Sequence, residues 1–299
     1  MPEFPEFKTI ELQDRETIQD FFTAYRPETS ELTFTNIFIW REHYKIVWSV
    51  HRDWLIVACN SGTDKCFALP PVGPPGRAEV CRAVLEWLRE RKGVKDPALE
   101  RADSRLVDEL GATGKFTIEP ARGHFDYLYK TENLIRLSGN RLHAKKNHLN
   151  KFRKTYKFSY EPVTPSAIPD CLKLAESWCH ARRCQEDLDL TDEAQAVKSI
   201  LENFAPLHVA GGLIRVEGKV EAFALGEMLN ADTAVIHVEK ANPEIPQAFV
   251  AINQQFCEHE WPQVPFINRE QDLGDPGLRQ AKLSYQPERL IPKFRIKLS

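Results

Sequence analysis

The order of predicted strands and helices constrains the fold of this chain most, because one order occurs twice. Residues 7–137 predict a strand, helices, a hairpin, a strand, a helix and a closing strand, and residues 157–299 predict a second series of the same kind. Alternation of apolar and polar residues marks the strands, and an apolar period near 3.6 residues marks the helices. The repetition predicts an α/β (α+β) chain of two similar domains, residues 1–137 and 138–299, each a mostly antiparallel mixed sheet flanked by helices.

Two hairpins and two helix assignments support this order. A turn at His51–Arg52 joins two apolar runs in the first half, and Glu217–Gly218–Lys219 joins two more in the second half. The pattern also predicts a helix over residues 97–110 and another helix with Thr191 as its N-cap. The last predicted strand, residues 290–298, falls in the second domain.

Composition and charge exclude several classes of protein. Forty Lys and Arg against 43 Asp and Glu give a net charge of −3, so attraction to nucleic acid or anionic lipid requires a local patch. The amino-terminal residues lack the pattern of a secretory signal, and no apolar run approaches the roughly 20 residues of a membrane-spanning helix. The seven cysteines are dispersed without a C-x-x-C pair, which predicts reduced thiols. Cys179, His180 and Cys184 lack a fourth metal ligand, so no metal site is expected. We therefore expect a cytoplasmic protein without a metal.

Signature motifs of four enzyme classes are missing from the sequence. It contains neither the G-x-x-x-x-G-K-[ST] loop of nucleotide hydrolases nor the G-x-G-x-x-G turn of dehydrogenases. It also lacks the H-E-x-x-H helix of zinc proteases and the G-x-S-x-G elbow of serine hydrolases. The chemistry of this chain therefore has to come from other segments.

The most basic segment of the chain is residues 137–156. Its apolar residues share one helical face, and Lys and Arg side chains occupy the remainder. Such a helix offers a local positive surface for phosphates, although a solvated basic helix docked on the core explains the pattern equally well. The candidate ligand-binding residues of this segment are Arg141, Lys145, Lys146 and Asn147.

A second candidate segment, residues 268–287, combines a strand end, a glycine-containing loop and a helix that begins near Pro276. Free backbone amides at a helix start and nearby cations can hold an anionic group. An ordinary strand, loop and helix with solvated charges is an equally good explanation. The candidate ligand-binding residues here are Asn268, Arg269, Arg279 and Lys282.

The third candidate segment is a strand that carries His237 and Glu239 and leads into a helix. Alternation along a strand places these two side chains on the same face. An imidazole beside a carboxylate can handle the proton of an amine. A structural histidine, or an ion pair of Glu239, is the more frequent explanation of such a pattern.

Taken together, these segments resemble a family of uncharacterised bacterial proteins that share the C-terminal domain of phosphatidylglycerol lysyltransferases. The resemblance extends over most of the chain and is most specific in VIHVEKANPEIPQAFVAINQQF and FINREQDLGDPGLRQAKLSYQP. It implies tandem GNAT-like domains related to the Fem peptidyltransferases, which move an amino acid from aminoacyl-tRNA to an amine or hydroxyl.

The resemblance also implies roles for two residues. Lys282 matches a lysine in the helix before the last strands, and Tyr285 falls where many GNAT enzymes place a general acid. The chain departs from ordinary GNAT enzymes after Lys240, where Ala-Asn-Pro-Glu-Ile-Pro replaces the pyrophosphate loop for acetyl-CoA. It also lacks the membrane-spanning half of the lysyltransferases.

These observations predict an acyl or aminoacyl transferase without a covalent enzyme intermediate. The expected donor is aminoacyl-tRNA or acyl-CoA, and the expected acceptor is a small molecule, a peptide or a lipid. Glu239, Glu270 or Asp272 accepts a proton, and Tyr285 returns one to the leaving group. The alternatives are an acyl-CoA-dependent GNAT enzyme with an atypical loop and a non-catalytic RNA- or lipid-binding protein on the same fold.

Overall fold

The computed structural model describes residues 1–60, 66–182 and 187–299. These residues form two compact units. The first unit consists of Met1–Asp126, Gln271–Gly274 and Leu290–Ser299, and the second consists of Tyr127–Glu270 and Asp275–Arg289. The domain boundary between residues 137 and 138 stays a prediction.

The first part of the chain forms five helices and five strands. In chain order they are β1 (Lys8–Thr9), α1 (Arg15–Tyr25), α2 (Phe34–Ile39), α3 (Arg41–Tyr44), β2 (Ile46–His51), β3 (Trp54–Cys59), α4 (Ala78–Glu90), β4 (Leu99–Ala102), α5 (Ser104–Gly111) and β5 (Phe116–Pro120), as seen among the described residues.

The remaining elements follow from residue 126. They are β6 (Asp126–Lys130), α6 (Thr131–Arg136), α7 (His143–Thr155), β7 (Phe158–Pro162), α8 (Ile168–Arg182), α9 (Leu188–Glu202), α10 (Phe204–Leu207), β8 (Ala210–Val216), β9 (Lys219–Asn230), β10 (Thr233–Ala241), α11 (Ala248–Glu260), β11 (Phe266–Asn268), α12 (Pro276–Leu283), β12 (Arg289–Ile291) and β13 (Phe294–Leu298).

Two three-stranded sheets form the first unit, in the orders β1-β2-β3 and β4-β13-β5. The predicted hairpin at His51–Arg52 is present, because β2 and β3 pair antiparallel from Ile46 opposite Cys59 to His51 opposite Trp54. The apolar face of α4 packs in the same core cluster as residues from β3, β4 and β13. Removal of this apolar surface from water is the main stabilising contribution to the unit.

Two expectations for the first unit and its sheets are wrong. The predicted helix over residues 97–110 divides into β4 and α5, because Asp103 ends the strand and caps the helix by accepting a hydrogen bond from the Leu106 amide. The last strand, β13, pairs with β4 and β5 rather than with a strand of the second half. The pairing of β13 joins residues that are far apart in sequence, which no local pattern contains.

A sheet whose strands follow the order β6-β11-β10-β9-β8-β7 forms the centre of the second unit. The long antiparallel ladder of β8, β9 and β10 lies in its middle, and β10 pairs parallel with β11. The predicted turn at Glu217–Gly218 joins β8 to β9, and both of its residues have positive φ angles, 50° and 80°. The prediction of an α/β fold with mostly antiparallel sheets flanked by helices is confirmed.

Helices cover both faces of this sheet. Successive side chains of a strand point to opposite faces. On β10, Glu239 binds Asn253 of α11, whereas the ammonium of the next residue, Lys240, lies 3.5 Å from the ring centre of Trp178 on α8. The helices α11 and α8 therefore lie on opposite sides of β10.

Two smaller expectations for the second unit are also wrong. The helix α9 begins at Leu188, so Thr191 lies inside it and its hydroxyl donates to the carbonyl of Asp187 instead of capping the helix. Cys179 is disulfide-bonded. The other five cysteines of the described part of the chain are free and buried, and Cys184 lies outside the described residues.

Candidate functional site

The candidate site lies in the second unit and is built around an ion pair between Glu239 and Arg269. Glu239 is near the carboxyl end of β10, and Arg269 follows the last residue of β11. Because these neighbouring strands are parallel, their carboxyl ends meet at one edge of the sheet. The Arg269 Nη2 donates to one carboxylate oxygen of Glu239, and the Asn253 amide donates to the other oxygen at 2.6 Å. Both oxygens of Glu239 are therefore engaged.

Tyr285 lies between two cations of this site. The guanidinium carbon of Arg269 is 4.7 Å from the ring centre of Tyr285, and the ammonium of Lys145 on α7 is 4.2 Å from it. Burial raises the pKa of Tyr285 above its ordinary value, although the charge of Arg269 opposes this shift. The hydroxyl therefore stays protonated at neutral pH. Burial, together with the charge of Arg269, lowers the pKa of Lys145.

Lys282 and Tyr129 hold α12 in place through hydrogen bonds to backbone carbonyl groups. The Lys282 ammonium donates to the carbonyl oxygen of Arg269 and, at 3.4 Å, to that of Glu270. The Tyr129 hydroxyl donates to the carbonyl oxygen of Lys282 at 2.8 Å. These bonds hold Arg269 close to the helix that precedes Tyr285.

Two polar atoms of the site are buried without a hydrogen-bond partner among the described residues. They are Nη1 of Arg269 and Oδ1 of Asn253. An unsatisfied buried group of this kind costs about 1–3 kcal/mol, and such groups are rare in folded proteins. A ligand that presents an anionic or carbonyl oxygen would satisfy the guanidinium. The chemistry of this donor suits an oxyanion or a phosphate.

A buried histidine joins two carboxylates next to this site. The imidazole of His237 contacts Glu270 through Nδ1 at 2.8 Å and Glu227 through Nε2 at 2.9 Å. Burial acts to lower the pKa of His237, but the hydrogen bonds to Glu227 and Glu270 outweigh it and raise the pKa to about 9. The ring is therefore an imidazolium at neutral pH, and it donates to both carboxylates.

The structure brings together seven of the predicted site residues in the second unit. Glu239 and Arg269 form the ion pair, and Tyr285 and Lys145 lie next to it. His237 binds the carboxylate of Glu270. The seventh, Lys282, binds the backbone. His237 and Glu239 have separate partners, because a bulge between Ile236 and Val238 interrupts the alternation of β10.

The other predicted residues lie elsewhere or serve the backbone. Asp272 belongs to the first unit, where its fully buried carboxylate accepts from Arg122 at 3.0 Å and from the Gly274 amide at 2.9 Å. The Asn268 side chain accepts from the Glu270 amide at 2.8 Å. Lys146 donates to the Arg136 carbonyl at 3.1 Å. Three more residues lie on α12, on α7 or just before it: Arg279 is half-buried, whereas Arg141 and Asn147 are exposed.

Three residues of the site were missed by sequence reasoning, namely Asn253, Tyr129 and Glu227. The first had a signal in the sequence. Asn253, Gln254 and Gln255 are consecutive polar residues between two apolar runs of α11, and all three are buried. Buried polar side chains in such a helix require partners, and here one of them holds Glu239.

The described part of the chain shows neither a metal cluster nor a membrane span. No group of three or more His, Cys, Asp or Glu side chains in residues 1–60, 66–182 and 187–299 is placed to hold a metal ion. Within the same residues, every helix is too short or too polar to cross a membrane.

One protein-family model matches most of the chain. The family model described as "Phosphatidylglycerol lysyltransferase, C-terminal" matches residues 22–297. A curated relative, an uncharacterized protein of Mycoplasmoides gallisepticum, is 22% identical over 180 residues, which is 58% of this chain. The match spans 56% of the length of that relative.

Solved structures resemble the chain over almost all of its length. A conserved protein of unknown function from Bacteroides thetaiotaomicron is 34% identical, with a TM-score of 0.91 over 98% of this chain and 99% of that one. The C-terminal domain of a putative lysylphosphatidylglycerol synthetase from Agrobacterium fabrum is 14% identical, with a TM-score of 0.66 over 96% and 92%. A tandem GNAT protein from the clavulanic acid biosynthesis pathway is 12% identical, with a TM-score of 0.53 over 98% of both chains. The last two likenesses concern the fold alone, and they confirm the tandem GNAT-like fold.

Proposed function

Because the chain belongs to the family of phosphatidylglycerol lysyltransferase C-terminal domains, we propose that it is an acyl or aminoacyl transferase. It moves an activated acyl group to an amine or hydroxyl acceptor. The donor we favour is aminoacyl-tRNA. Since a shared fold does not establish a reaction, the proposal depends on the geometry of the site.

The observation that carries the proposal is the Arg269 guanidinium, held in place by Glu239 with a buried Nη1 that lacks a partner among the described residues. Attack on an ester carbonyl creates an oxyanion, and prearranged donors in a site shielded from water stabilise that charge. In the proposed reaction Nη1 donates to this oxyanion. The ion pair with Glu239 fixes the guanidinium before the substrate arrives, so little reorganisation is needed.

Tyr285 and Glu270 are the proposed proton donor and acceptor. Burial keeps the Tyr285 hydroxyl protonated, so it can donate its proton to the oxygen of the leaving group. Of the three carboxylates, Glu270 is the most accessible, with a side chain 21% exposed against 14% for Glu239 and 0% for Asp272. Glu270 accepts the proton of the attacking amine or hydroxyl. The new acyl bond forms in this attack, and the bond to the leaving oxygen breaks when the tetrahedral intermediate collapses.

The basic helix α7 supports a donor with phosphates. It carries Lys145 into the site, and its exposed side chains include Lys151 and Lys154. Phosphate contacts of this type position a nucleic acid without reading its sequence. The 3′ end of an aminoacyl-tRNA combines phosphates, which the basic helix would bind, with an activated ester, whose oxyanion Arg269 would stabilise.

A transfer assay tests the proposal. The full-length protein is incubated with mixed, labelled aminoacyl-tRNA and either phosphatidylglycerol vesicles or a lysine-containing peptide. We expect label to pass to at least one acceptor, and Arg269→Lys to abolish transfer because an ammonium lacks the planar fork of the guanidinium. Arg215→Lys is the matched control, since Arg215 forms surface ion pairs with Glu161 and Asp170 in the same unit.

The same assay with labelled acyl-CoA separates the alternatives. Transfer from acyl-CoA but not from aminoacyl-tRNA would identify acyl-CoA as the donor and favour an acyl-CoA-dependent GNAT enzyme. Absence of transfer from both donors to every acceptor would favour a non-catalytic binding protein.

A further inference from the structure

The first unit contains a cavity that is separate from the site in the second unit. The space open to the centre of a water-sized sphere is about 80 Å³, and the total empty space, with the open solvent at the mouth, is about 610 Å³. One water molecule needs roughly 10–15 Å³ of the space open to sphere centres, so the cavity accommodates several heavy atoms. Its walls are mainly apolar and aromatic, with Ile37, Trp40, Tyr44, Val57 and Phe67 among them. The space therefore suits the apolar body of a small molecule.

Arg101 lines this cavity in an unusual backbone conformation. Its φ angle is +63°, in the left-handed region that residues other than glycine rarely adopt. It lies on β4 at a bulge in the pairing with β13. Ala102 pairs with Phe294 and Leu99 with Ile296, so three residue steps on β4 face two on β13. A bulge redirects a side chain, and strain of this kind persists where a function uses it. Here the redirected side chain is a guanidinium in an apolar cavity.

The guanidinium of Arg101 has few partners. Its Nη2 donates one long hydrogen bond, 3.4 Å, to the Tyr44 hydroxyl, and its Nε lies 3.4 Å from a Glu31 oxygen without forming a hydrogen bond. This Nε is buried and has no hydrogen-bond partner among the described residues. The guanidinium otherwise stacks near the Tyr44 and Phe67 rings, at 5.6 and 4.9 Å.

Glu31 is shared by two cations, because it forms an ion pair with Arg101 at 3.4 Å and is bound more closely by Lys293. The ammonium of Lys293 donates to both Glu31 oxygens, at 2.8 and 2.6 Å, and to Asp126 at 2.6 Å. The two carboxylates therefore surround Lys293. Among the described residues that line the cavity, Arg101 is the cation, and its buried Nε has no hydrogen-bond partner.

We propose that this cavity binds a small monocarboxylate with an apolar body, whose carboxylate pairs with Arg101. The apolar walls hold the body, and the guanidinium supplies the planar donor pair that a carboxylate fits. Polar side chains of Asn36 and Gln271 line the same cavity and add hydrogen-bonding groups, and the Glu31 carboxylate that also lines it is held by Lys293. The site lies wholly within the first unit, so it goes beyond the proposed transferase reaction and does not depend on it.

Calorimetry with two pairs of probes tests the proposal. The intact protein is titrated with 3-phenylpropanoate and 4-methylpentanoate, and with 3-phenylpropan-1-ol and 4-methylpentan-1-ol as uncharged counterparts. Neither tRNA nor an acyl acceptor is present, so the result is independent of transfer activity. We expect each acid to bind roughly tenfold or more tightly than its alcohol, the ratio of one charge-assisted hydrogen bond.

Two variants of Arg101 complete the test. Arg101→Gly fits the positive φ angle, so the variant should fold, and it should lose the preference for the acids. Arg101→Gln keeps some polarity and should lose the preference as well. Arg82→Ala, an exposed change on α4 in the same unit, should preserve it. Equal binding of acids and alcohols, no binding of either acid, or retained preference in Arg101→Gly would overturn the proposal.

Discussion

The guanidinium of Arg269 lies 4.7 Å from the centre of the Tyr285 ring. This contact places a buried cation beside a hydroxyl whose pKa burial raises. A residue that can stabilise negative charge therefore lies next to a residue that can donate a proton. In the proposed reaction, oxyanion stabilisation and protonation of the leaving group would therefore meet at this contact.

Tyr285→Phe should remove the proton donor and preserve the ring between its two cations. We expect the rate of transfer to fall by roughly 10²–10⁴, the usual contribution of general acid catalysis, with unchanged affinity for the donor. Single-turnover kinetics with labelled aminoacyl-tRNA measure the rate. Tyr160→Phe is the control, because Tyr160 lies on β7 in the same unit and its hydroxyl binds Glu260. An unchanged rate in Tyr285→Phe would remove Tyr285 from the mechanism.

Removal of one partner from the ion pair of Arg269 and Glu239 should destabilise the protein strongly. Both side chains are largely buried, at 13% and 14% exposed. Arg269→Met leaves the Glu239 carboxylate without its cation and should lower the free energy of unfolding by about 3–5 kcal/mol. The double variant Arg269→Met, Glu239→Gln should recover part of this loss, as measured by urea denaturation.

A surface pair in the same unit provides the control for that cycle. Arg215 lies between Glu161 and Asp170, and Arg215→Met should cost about 1 kcal/mol or less. If Arg269→Met costs no more than Arg215→Met, the Arg269 ion pair does not hold the site together.

Stability should depend on pH through His237. Its pKa in the folded protein is raised to about 9, against roughly 6.5 in an unfolded chain. The stabilising contribution of the imidazolium is therefore fully present below about pH 6.5 and is lost as the pH rises through about 9. Unfolding free energies measured across this range should fall with rising pH, and less so in His237→Gln. An NMR titration that gives an ordinary pKa for His237 would contradict this assignment.

Lys293 should be essential to the stability of the first unit. It is fully buried, and its ammonium binds Glu31 and Asp126. Lys293→Met leaves both carboxylates without this cation and should cost about 3–5 kcal/mol in a urea titration. Lys297→Met on the following strand, β13, is the matched control, because Lys297 is 26% exposed and pairs with the exposed Asp96. Equal stability of the two variants would refute the role of Lys293.

Local patterns predicted the second unit well because most of its elements are bounded by local signals. The strand over residues 233–241 and the turn at Glu217–Gly218 are present as expected. The placement of β13 was not predictable, since its partners β4 and β5 are distant in sequence. The bulge at His237 was also missed, because a bulge depends on the paired strand and has no fixed sequence pattern.

The candidate site was partly predictable for the same reason. Arg269, Lys282 and Tyr285 stand within one polar segment, so their proximity follows from the chain itself. Asp272 shows the limit of this reasoning. It is only two residues from Glu270, but Glu270 and Leu273 have positive φ angles of 54° and 51°, and the Asp272 carboxylate is buried in the first unit. Closeness in sequence therefore does not assign these two carboxylates to the same unit.

The most direct measurement is the affinity of the protein for mixed aminoacyl-tRNA across a salt series, with free CoA as the comparison ligand. The account predicts binding that weakens steeply with salt, because phosphate contacts release counterions. The double variant Lys145→Ala, Lys146→Ala should lower the slope by about one to two units, whereas Lys198→Ala on α9 should leave it unchanged. Binding of CoA without any binding of aminoacyl-tRNA would contradict the account.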